Sequence, residues 1–527
     1  MTIKFFRRKE ASAGSSKPAA VAGSVSKGAA DTDSAPDRDC RMTFRFGLFG
    51  AVVPLVVFLA GVITYFMIFE VFDINALTAS GLAGLLVGAL FARSYSRFWE
   101  CVITGVSSRG TVSLLLIFLS VGLVVAMINQ TDVAGGMVWL AGQLDVGGGW
   151  FVLLAFVMAC AISMATGSSL GTMFTAFPIF YPAGVMLGAS PTLLAGAILS
   201  GAVFGDNLAP ISDSSIMSAS TQRYRRRDGV AEISGVVRSR AQYALIAAGA
   251  SGILFLGLGL FADGSGDSVN KIDSGQTTPL SLTMLIPIAA LLVVAFWKRN
   301  IFMATTTGLL CGLVTGLLTG LLSFGDIFSV GDDGDPAGVF VTGIETILPL
   351  VGLAIVIFGI IGVLQGAGVF DIIVGVVSRS GRNRRPVVSE LTIGFGAAIT
   401  TVVCAGVNTP AILMFGPVAD RIGAQSQLHP YRRANIMDCF VLGIGGVVPV
   451  ASIFLLISSQ LTGGYGSGVP ELTAFSIFTA AFYPLILTLV ILLAVLTGWG
   501  RRFEGENGVP VRQPIPLGPK SQDRFDA

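Results

Sequence analysis

Apolar residues run through this chain in long blocks, and about 20 of them in a row are what one helix needs to cross the hydrocarbon of a bilayer. A first set of such blocks lies at 47–70, 76–92, 111–128, 150–166, 172–188, 191–220 and 241–262. A second lies at 280–297, 301–324, 344–364, 387–407, 409–420, 437–458 and 474–498. Two sets of seven predict an all-α polytopic membrane protein in two halves, with 150–188 and 387–420 open to the alternative of re-entrant hairpins. The blocks divide the chain into a disordered basic tail at 1–46, a first transmembrane repeat at 47–262, an extracytoplasmic linker at 263–279, a second repeat at 280–499 and a second tail at 500–527.

Composition agrees with lipid contact: 53% of residues are hydrophobic and 12% charged, where a soluble domain carries about 25% charged residues. A soluble enzyme and a nucleic-acid partner are both disfavoured. The single histidine, His429, rules out a histidine-based metal site by count and reads as part of a solvated basic loop. The six cysteines form no C-x-x-C pair and read as buried free thiols rather than disulfides. No cofactor is expected.

Lys and Arg favour cytoplasmic loops. With both termini cytoplasmic, the tails and the loops 93–109, 222–240, 298–300, 379–386 and 421–433 hold 32 of the 33 basic residues, and only Lys271 falls on the other side. This topology runs block 47–70 outward and its counterpart 280–297 inward, so the two repeats are inverted. Val-Ile-Thr-Gly at 102–105 echoes Phe-Val-Thr-Gly at 340–343, while Gly167, Pro178 and Pro210 return as Gly406, Pro417 and Pro449 at a constant offset of 239. Inverted repeats with interrupted helices at midplane are the architecture of secondary transporters. The expected location is the inner or plasma membrane, multi-pass, with the bilayer and a small solute as partners and a homodimer as a compatible assembly.

Polar residues break the apolar pattern in two places of the first half. In one, Gly167 and Gly171 flank Ser168, Ser169 and Thr172; the group serves either close helix packing or an unwound segment facing a cavity. The other is Gly205-Asp-Asn-Leu-Ala-Pro-Ile-Ser-Asp-Ser-Ser215. On an unbroken helix Asp206 and Asp213 would lie about 10 Å apart along the axis. Pro210 cannot donate to the carbonyl of Asp206, so a break there would bring the acids together and free that oxygen for a cation. The bland reading makes Asp213 a helix cap. A buried acid at membrane depth is by default a functional residue. Asn207 and Ser212 belong to the same stretch. In the second half Pro449 repeats the interruption, Asn408 and Thr409 stand at the other break, and Asp438 is either interfacial or a further buried acid. Glu70 and Asp371, at block ends, read as interfacial.

The run Ala195-Gly-Ala-Ile-Leu-Ser-Gly-Ala-Val-Phe-Gly-Asp-Asn-Leu-Ala-Pro-Ile-Ser-Asp213 resembles the hallmark G-[AS]-x-[FW]-G-D-x-x-[SA]-P-[IL]-S-D of the NhaC-type Na⁺/H⁺ antiporters, and Gly167-Ser-Ser-Leu-Gly-Thr172 resembles their G-T-S-W-G-T motif. Asn207 stands where many members have His. The resemblance implies a multi-spanning antiporter exchanging Na⁺ for protons, with relatives that exchange malate or lactate. By position it implies Asp206, Asp213, Ser168 and Thr172 as site residues, with Na⁺ held at Asp206 and Asp213.

The reading of first choice is cation/proton antiport, in which Na⁺ and H⁺ compete for a buried carboxylate. The alternative is Na⁺- or H⁺-coupled transport of a small organic acid or amino acid. Buried arginine would favour that alternative, and every arginine maps to a loop or tail. An intramembrane aspartyl protease, suggested by Phe204-Gly-Asp206, lacks the glycine at Val203 and a second acid on another helix.

Overall fold

A computed structural model of the chain describes residues 41–516 except 70–72, 134–135, 137–138, 140–146, 265–278, 299–300, 332–333, 371, 373–384, 450 and 466–468. The expected tail up to residue 40, most of the 263–279 linker, Glu70, Asp371 and the last residues of the chain lie outside the described residues. What is described is helical apart from two short hairpins of two-residue strands. By length and apolarity, eight described helices are able to cross a membrane. The apolar blocks number more than this because some of them fall on shorter apolar helices, among them Leu48–Ile63 and Phe482–Thr497.

The helices α1 (Leu48–Ile63), α2 (Ile74–Phe91), α3 (Tyr95–Val106) and α4 (Arg109–Gln130) come from the first half. The helix α3 lies in the stretch expected to be a loop; it is amphipathic, burying Phe98, Cys101 and Val102. Next come α5 (Gly148–Thr166), α6 (Ser169–Met186), α7 (Pro191–Leu208), α8 (Asp213–Ser220) and α9 (Ile233–Gly264). The second half supplies α10 (Leu285–Lys298), α11 (Ile301–Thr319), α12 (Val339–Gly366), α13 (Pro386–Val403), α14 (Asn408–Gln425), α15 (Pro430–Leu442), α16 (Ile453–Gln460) and α17 (Phe482–Thr497).

Packing sorts these into two bundles that each mix both halves. The helices α1 to α4 pack with α10 to α12, while α5 to α9 pack with α13 to α17. In the first bundle the helices meet through small residues, Gly105 of α3 on Gly362 of α12 and Gly122 of α4 on Gly343 of α12. That is how helices associate where lipid removes the hydrophobic drive between them. The echo between 102–105 and 340–343 thus falls on elements of different kinds, the end of α3 and the start of α12.

The second bundle holds the repeat. The helices α5 and α6 form a hairpin whose tip is Gly167, left-handed at φ 67°, and α13 and α14 form one whose tip holds Gly406 at φ 78°. Pro178 and Pro417 sit inside the return arms, and Pro210 and Pro449 lie in the two helix breaks. All three offset pairs therefore occupy matching places. The hairpins open in opposite directions. The second opens where Asp420 of α14 pairs with Arg225 of the 221–232 loop at 2.8 Å and Glu390 of α13 pairs with Arg501 at 2.7 Å. The first opens where Gly148 abuts Ala189 and Gly149 abuts Gly259, near the far end of α9. The repeats are inverted and their central helices are interrupted, as the residue pattern predicts, and 150–188 and 387–420 are helical hairpins.

Two described stretches near the chain ends, 41–46 and 500–516, are more ordered than their composition suggests. Residues 41–46 are not tail: Met42 donates to the Gly366 carbonyl at 3.0 Å, and Phe44 is buried beside Ala92. Residues 500–516 fold onto the arginine-rich face. Phe503–Glu504 pairs antiparallel with Pro510–Val511, and the buried Glu504 accepts the backbone N–H groups of Arg225 and Arg226, each at 2.6 Å. His429 is buried rather than solvated. Its Nδ1 accepts from the Tyr431 N–H at 3.2 Å, so its Nε2 carries the proton and donates to the Gly508 carbonyl at 3.0 Å. Burial first, then the nearby Arg433 and Arg227, push the His429 imidazole down to about 4. Cys160, Cys311, Cys404 and Cys439 are free thiols, whereas Cys101 is disulfide-bonded, for which cysteine spacing carries no signal.

Candidate cation site

The helix α7 stops at Leu208 because Pro210 has no N–H with which to continue it, and the Ala209 N–H closes the last turn on the Gly205 carbonyl at 2.7 Å. The chain resumes at Asp213, where Ser212 caps α8 by accepting from the Ser215 N–H. This break folds Ser212 and Ser214 back onto Asp206. Asp206 is 7% exposed. It accepts hydroxyl hydrogen bonds from Ser169, at the start of α6, and from Ser212. Ser214 donates to its Oδ1 at 3.2 Å, and Asn408, the first residue of α14, donates from Nδ2 to its Oδ2 at 3.4 Å. Both hairpin tips and one break thus converge on a single carboxylate. Among the described residues no basic group is ion-paired with it. Beside it the Asn408 Oδ1 is buried with no hydrogen-bond partner.

A second polar layer starts at the next residue. Asn207 donates from Nδ2 to Asp438 of α15 at 3.1 Å and accepts the Tyr483 hydroxyl at 3.2 Å. Asp438 is fully buried and forms an ion pair with Arg240, itself fully buried in α9.

The expected site residues separate accordingly. Asp206, Ser169, Ser212 and Asn408 meet at one point. Asn207 and Asp438 meet in the adjoining layer, which settles Asp438 as a buried acid. Ser168 is the N-cap of α6, accepting from the Gly171 N–H at 3.1 Å, and Thr172 turns back to the Ser168 carbonyl at 2.8 Å, so both build the tip rather than face Asp206. Thr409 is half-buried without a side-chain hydrogen bond among the described residues. Asp213 is exposed at the first position of α8 and makes no hydrogen bond or ion pair among the described residues; the cap is Ser212. The break therefore does not join the two acids through their carboxylates. Nor does the proline leave the Asp206 carbonyl open, since the Ser214 hydroxyl lies 3.2 Å from it and shares its single proton between that carbonyl and Oδ1.

The expectation that every arginine sits in a loop or tail fails at Arg432 and Arg433, buried in the first turn of α15 and paired with Glu390 and Asp420 at 2.8 and 3.0 Å, and at Arg240 beside the site. The loop after α8 turns helical at Ile233, two turns earlier than its charge suggests, and carries Arg240 inside. Sequence reasoning also passed over Ser214, Tyr483 and Asn435 as site neighbours; Ser214 alone carried a signal, by standing next to Asp213 in the polar run.

An inverted pair of helical hairpins enclosing a buried carboxylate between interrupted helices defines a secondary transporter of the membrane. Residues 41–260 match the model of the Na⁺/H⁺ antiporter family, the family that the motifs at 167–172 and 195–213 resemble. Among curated relatives, the malate-2H⁺/Na⁺-lactate antiporter of Bacillus subtilis is 28% identical over 62% of this chain and 71% of its own length. The Na⁺/H⁺ antiporter NhaC of Alkalihalophilus pseudofirmus is 28% identical over 24% of this chain and 28% of its own. An arginine/ornithine antiporter, ArcD of Halobacterium salinarum, is 26% identical over 44% and 48%. Of solved structures, the YdaH transporter of Alcanivorax borkumensis superposes with a TM-score of 0.35 at 14% identity, covering 75% of this chain and 91% of that one.

Proposed function

We propose that this chain is a cell-membrane Na⁺/H⁺ antiporter in which the cation and the proton compete for Asp206. The observation that carries the reading is a buried carboxylate ringed by neutral polar side chains, with no basic partner among the described residues. A bare carboxylate at that depth costs several kcal/mol, so it takes up either a proton or a cation, and each expels the other. Serine hydroxyls that donate to the carboxylate turn to present lone pairs when a cation arrives, and Asn408, whose amide nitrogen faces the carboxylate, offers its unpartnered Oδ1 as a further ligand once the amide turns over. Hard monovalent cations prefer such oxygen sets.

Alternating access follows from the two bundles. The site lies wholly in the second bundle, and a cavity of about 600 Å³ lined by Asp73, Leu77, Glu345, Pro349, Leu456 and Glu471 separates the bundles on the face opposite the arginines. Movement of the site-bearing bundle past the other fits this division better than rocking of one repeat against its mate, because each bundle mixes both repeats. The arginine-rich face, with both termini, is cytoplasmic in this reading.

The second reading is coupled exchange of a small organic acid, as the name of the Bacillus subtilis relative suggests. Buried Arg240 favours it, though Asp438 already occupies that guanidinium. The two are separated in proteoliposomes holding a pH-sensitive dye under an imposed pH gradient, by adding Na⁺, Li⁺, K⁺, malate or lactate in turn to the wild type and to Asp206→Asn. A Na⁺ or Li⁺ response lost in the variant supports the antiport reading. A response to an organic acid with silence toward every cation overturns it in favour of the second.

A further inference from the structure

We infer that Arg240 is a positioning residue of the transport site, clamping both halves of the interrupted helix and holding Asp438 as a permanent counter-ion, so that Asp206 is the one buried carboxylate there left free for cargo. The inference rests on the cation/proton reading. Arg240 donates from Nη1 to the Asn207 carbonyl at 2.6 Å and to Ser215 at 3.2 Å, from Nη2 to Ser218 at 3.0 Å, and from Nε to Asn435 at 3.1 Å. The Asn207 carbonyl is one of those that the end of α7 leaves without a helical partner. Ser215 and Ser218 lie on α8, and Asn435 and Asp438 on α15. One guanidinium therefore joins three elements on the two sides of the break, which needs the fixed fork of donors that lysine does not have.

Arginine keeps its proton under any working condition, and a permanent charge enclosed in a membrane bundle needs a permanent partner. Asp438 is that partner. The link to Asp206 is one residue long: Asn207 receives Arg240 on its backbone and donates to Asp438 with its side chain. Removing Asp438 would leave a bare cation beside the cargo site, where it repels Na⁺. Removing both members would take the field away again.

The test measures Na⁺-driven proton flux in proteoliposomes and separates the KM for Na⁺ from the maximal rate, for the wild type, Asp438→Asn, Arg240→Lys and the double variant Arg240→Gln/Asp438→Asn. Asp438→Asn is expected to raise the KM at least tenfold, and the double variant to bring it back within threefold of wild type at a lower maximal rate. Arg240→Lys keeps the charge and loses the fork, so it lowers the rate while the KM stays within threefold. An unchanged KM in Asp438→Asn, or a double variant no better than Asp438→Asn, overturns the inference, since a merely structural pair would change stability and rate and leave the KM alone. The unaltered protein provides a reading that does not depend on the variants folding. With one free carboxylate, one charge crosses each way and the Na⁺-driven flux ignores a potential imposed with K⁺ and valinomycin. A several-fold response to that potential overturns the inference alone, whereas silence of the wild type toward every cation overturns the proposed function and the inference with it.

Discussion

Gly205 precedes the site carboxylate and lies where α7 crosses α5 most closely. A Cβ built on it would land on the Ser163 side chain and on the Met164 backbone nitrogen. Ordinary Cβ contacts lie at 3.4–4 Å, so Gly205→Ala forces the two helices apart by on the order of 1 Å. The obstacle is partly backbone, which cannot rotate aside, so the cost belongs at the upper end of the roughly 1–3 kcal/mol typical of overpacking. Spreading the helices also stretches the hydrogen bond from the Ser163 hydroxyl to the Ala202 carbonyl, now 2.5 Å. It carries Asp206 away from Ser169, and a displacement of about 1 Å in a binding constellation is enough to lower turnover by roughly 100-fold. Thermal unfolding in detergent and Na⁺-driven flux in proteoliposomes would be measured on the same preparations. The expected result is a melting point lower by several degrees and flux below a tenth of wild type. Gly252→Ala is the control, since its Cβ would meet Leu153 at 3.6 Å, an ordinary contact. Helix propensity then favours alanine by up to about 1 kcal/mol. A Gly205→Ala protein as stable and active as Gly252→Ala would refute the packing that holds Asp206 in place.

Ser212→Ala removes both the cap of α8 and a hydroxyl on Asp206. With caps worth about 1 kcal/mol and hydrogen bonds to charged groups about 1.5–3 kcal/mol, the Na⁺ KM should rise about tenfold in flux assays. Truncation before Phe503 uncovers Leu428 and the amides of Arg225 and Arg226; it should lower the melting point while leaving the Na⁺ KM within twofold, because none of these groups touches the Asp206 site. The folded protein disfavours His429 protonation, so the unfolded chain binds the extra proton first and stability is lost as pH falls from about 6.5 toward about 4. Limited proteolysis of the C-terminal segment should therefore accelerate across that window, and His429→Gln should flatten the change.

What was legible in the sequence were interruptions of a regular pattern. Glycine, proline and hydroxyl residues inside apolar blocks mark breaks wherever the blocks fold, so Gly167, Gly406, Pro210 and Pro449 located both tips and both gaps. Charge bias gave the inversion, because basic residues gather at one face whatever the helix packing. Which hydroxyl faces Asp206 was not legible: Ser168 and Ser169 are neighbours, and only the cap geometry of α6 decides that the first bonds its own helix and the second the carboxylate. Arg240 was missed because charge counting assigns a residue to a loop, and a long side chain near a helix start can still reach inward when a carboxylate on a distant helix receives it. Residues 500–516 read as tail, but their order comes from pairing with loops more than 70 residues away, which local composition does not encode.

The most direct test of the central claim is equilibrium binding of radioactive ²²Na⁺ to purified protein across a range of pH, with Asp206→Asn alongside. Competition for one carboxylate predicts that the apparent Kd rises roughly tenfold for each pH unit below the titration midpoint, and that the variant binds no Na⁺ at any pH. Na⁺ binding that ignores pH, or that survives in Asp206→Asn, would contradict the account.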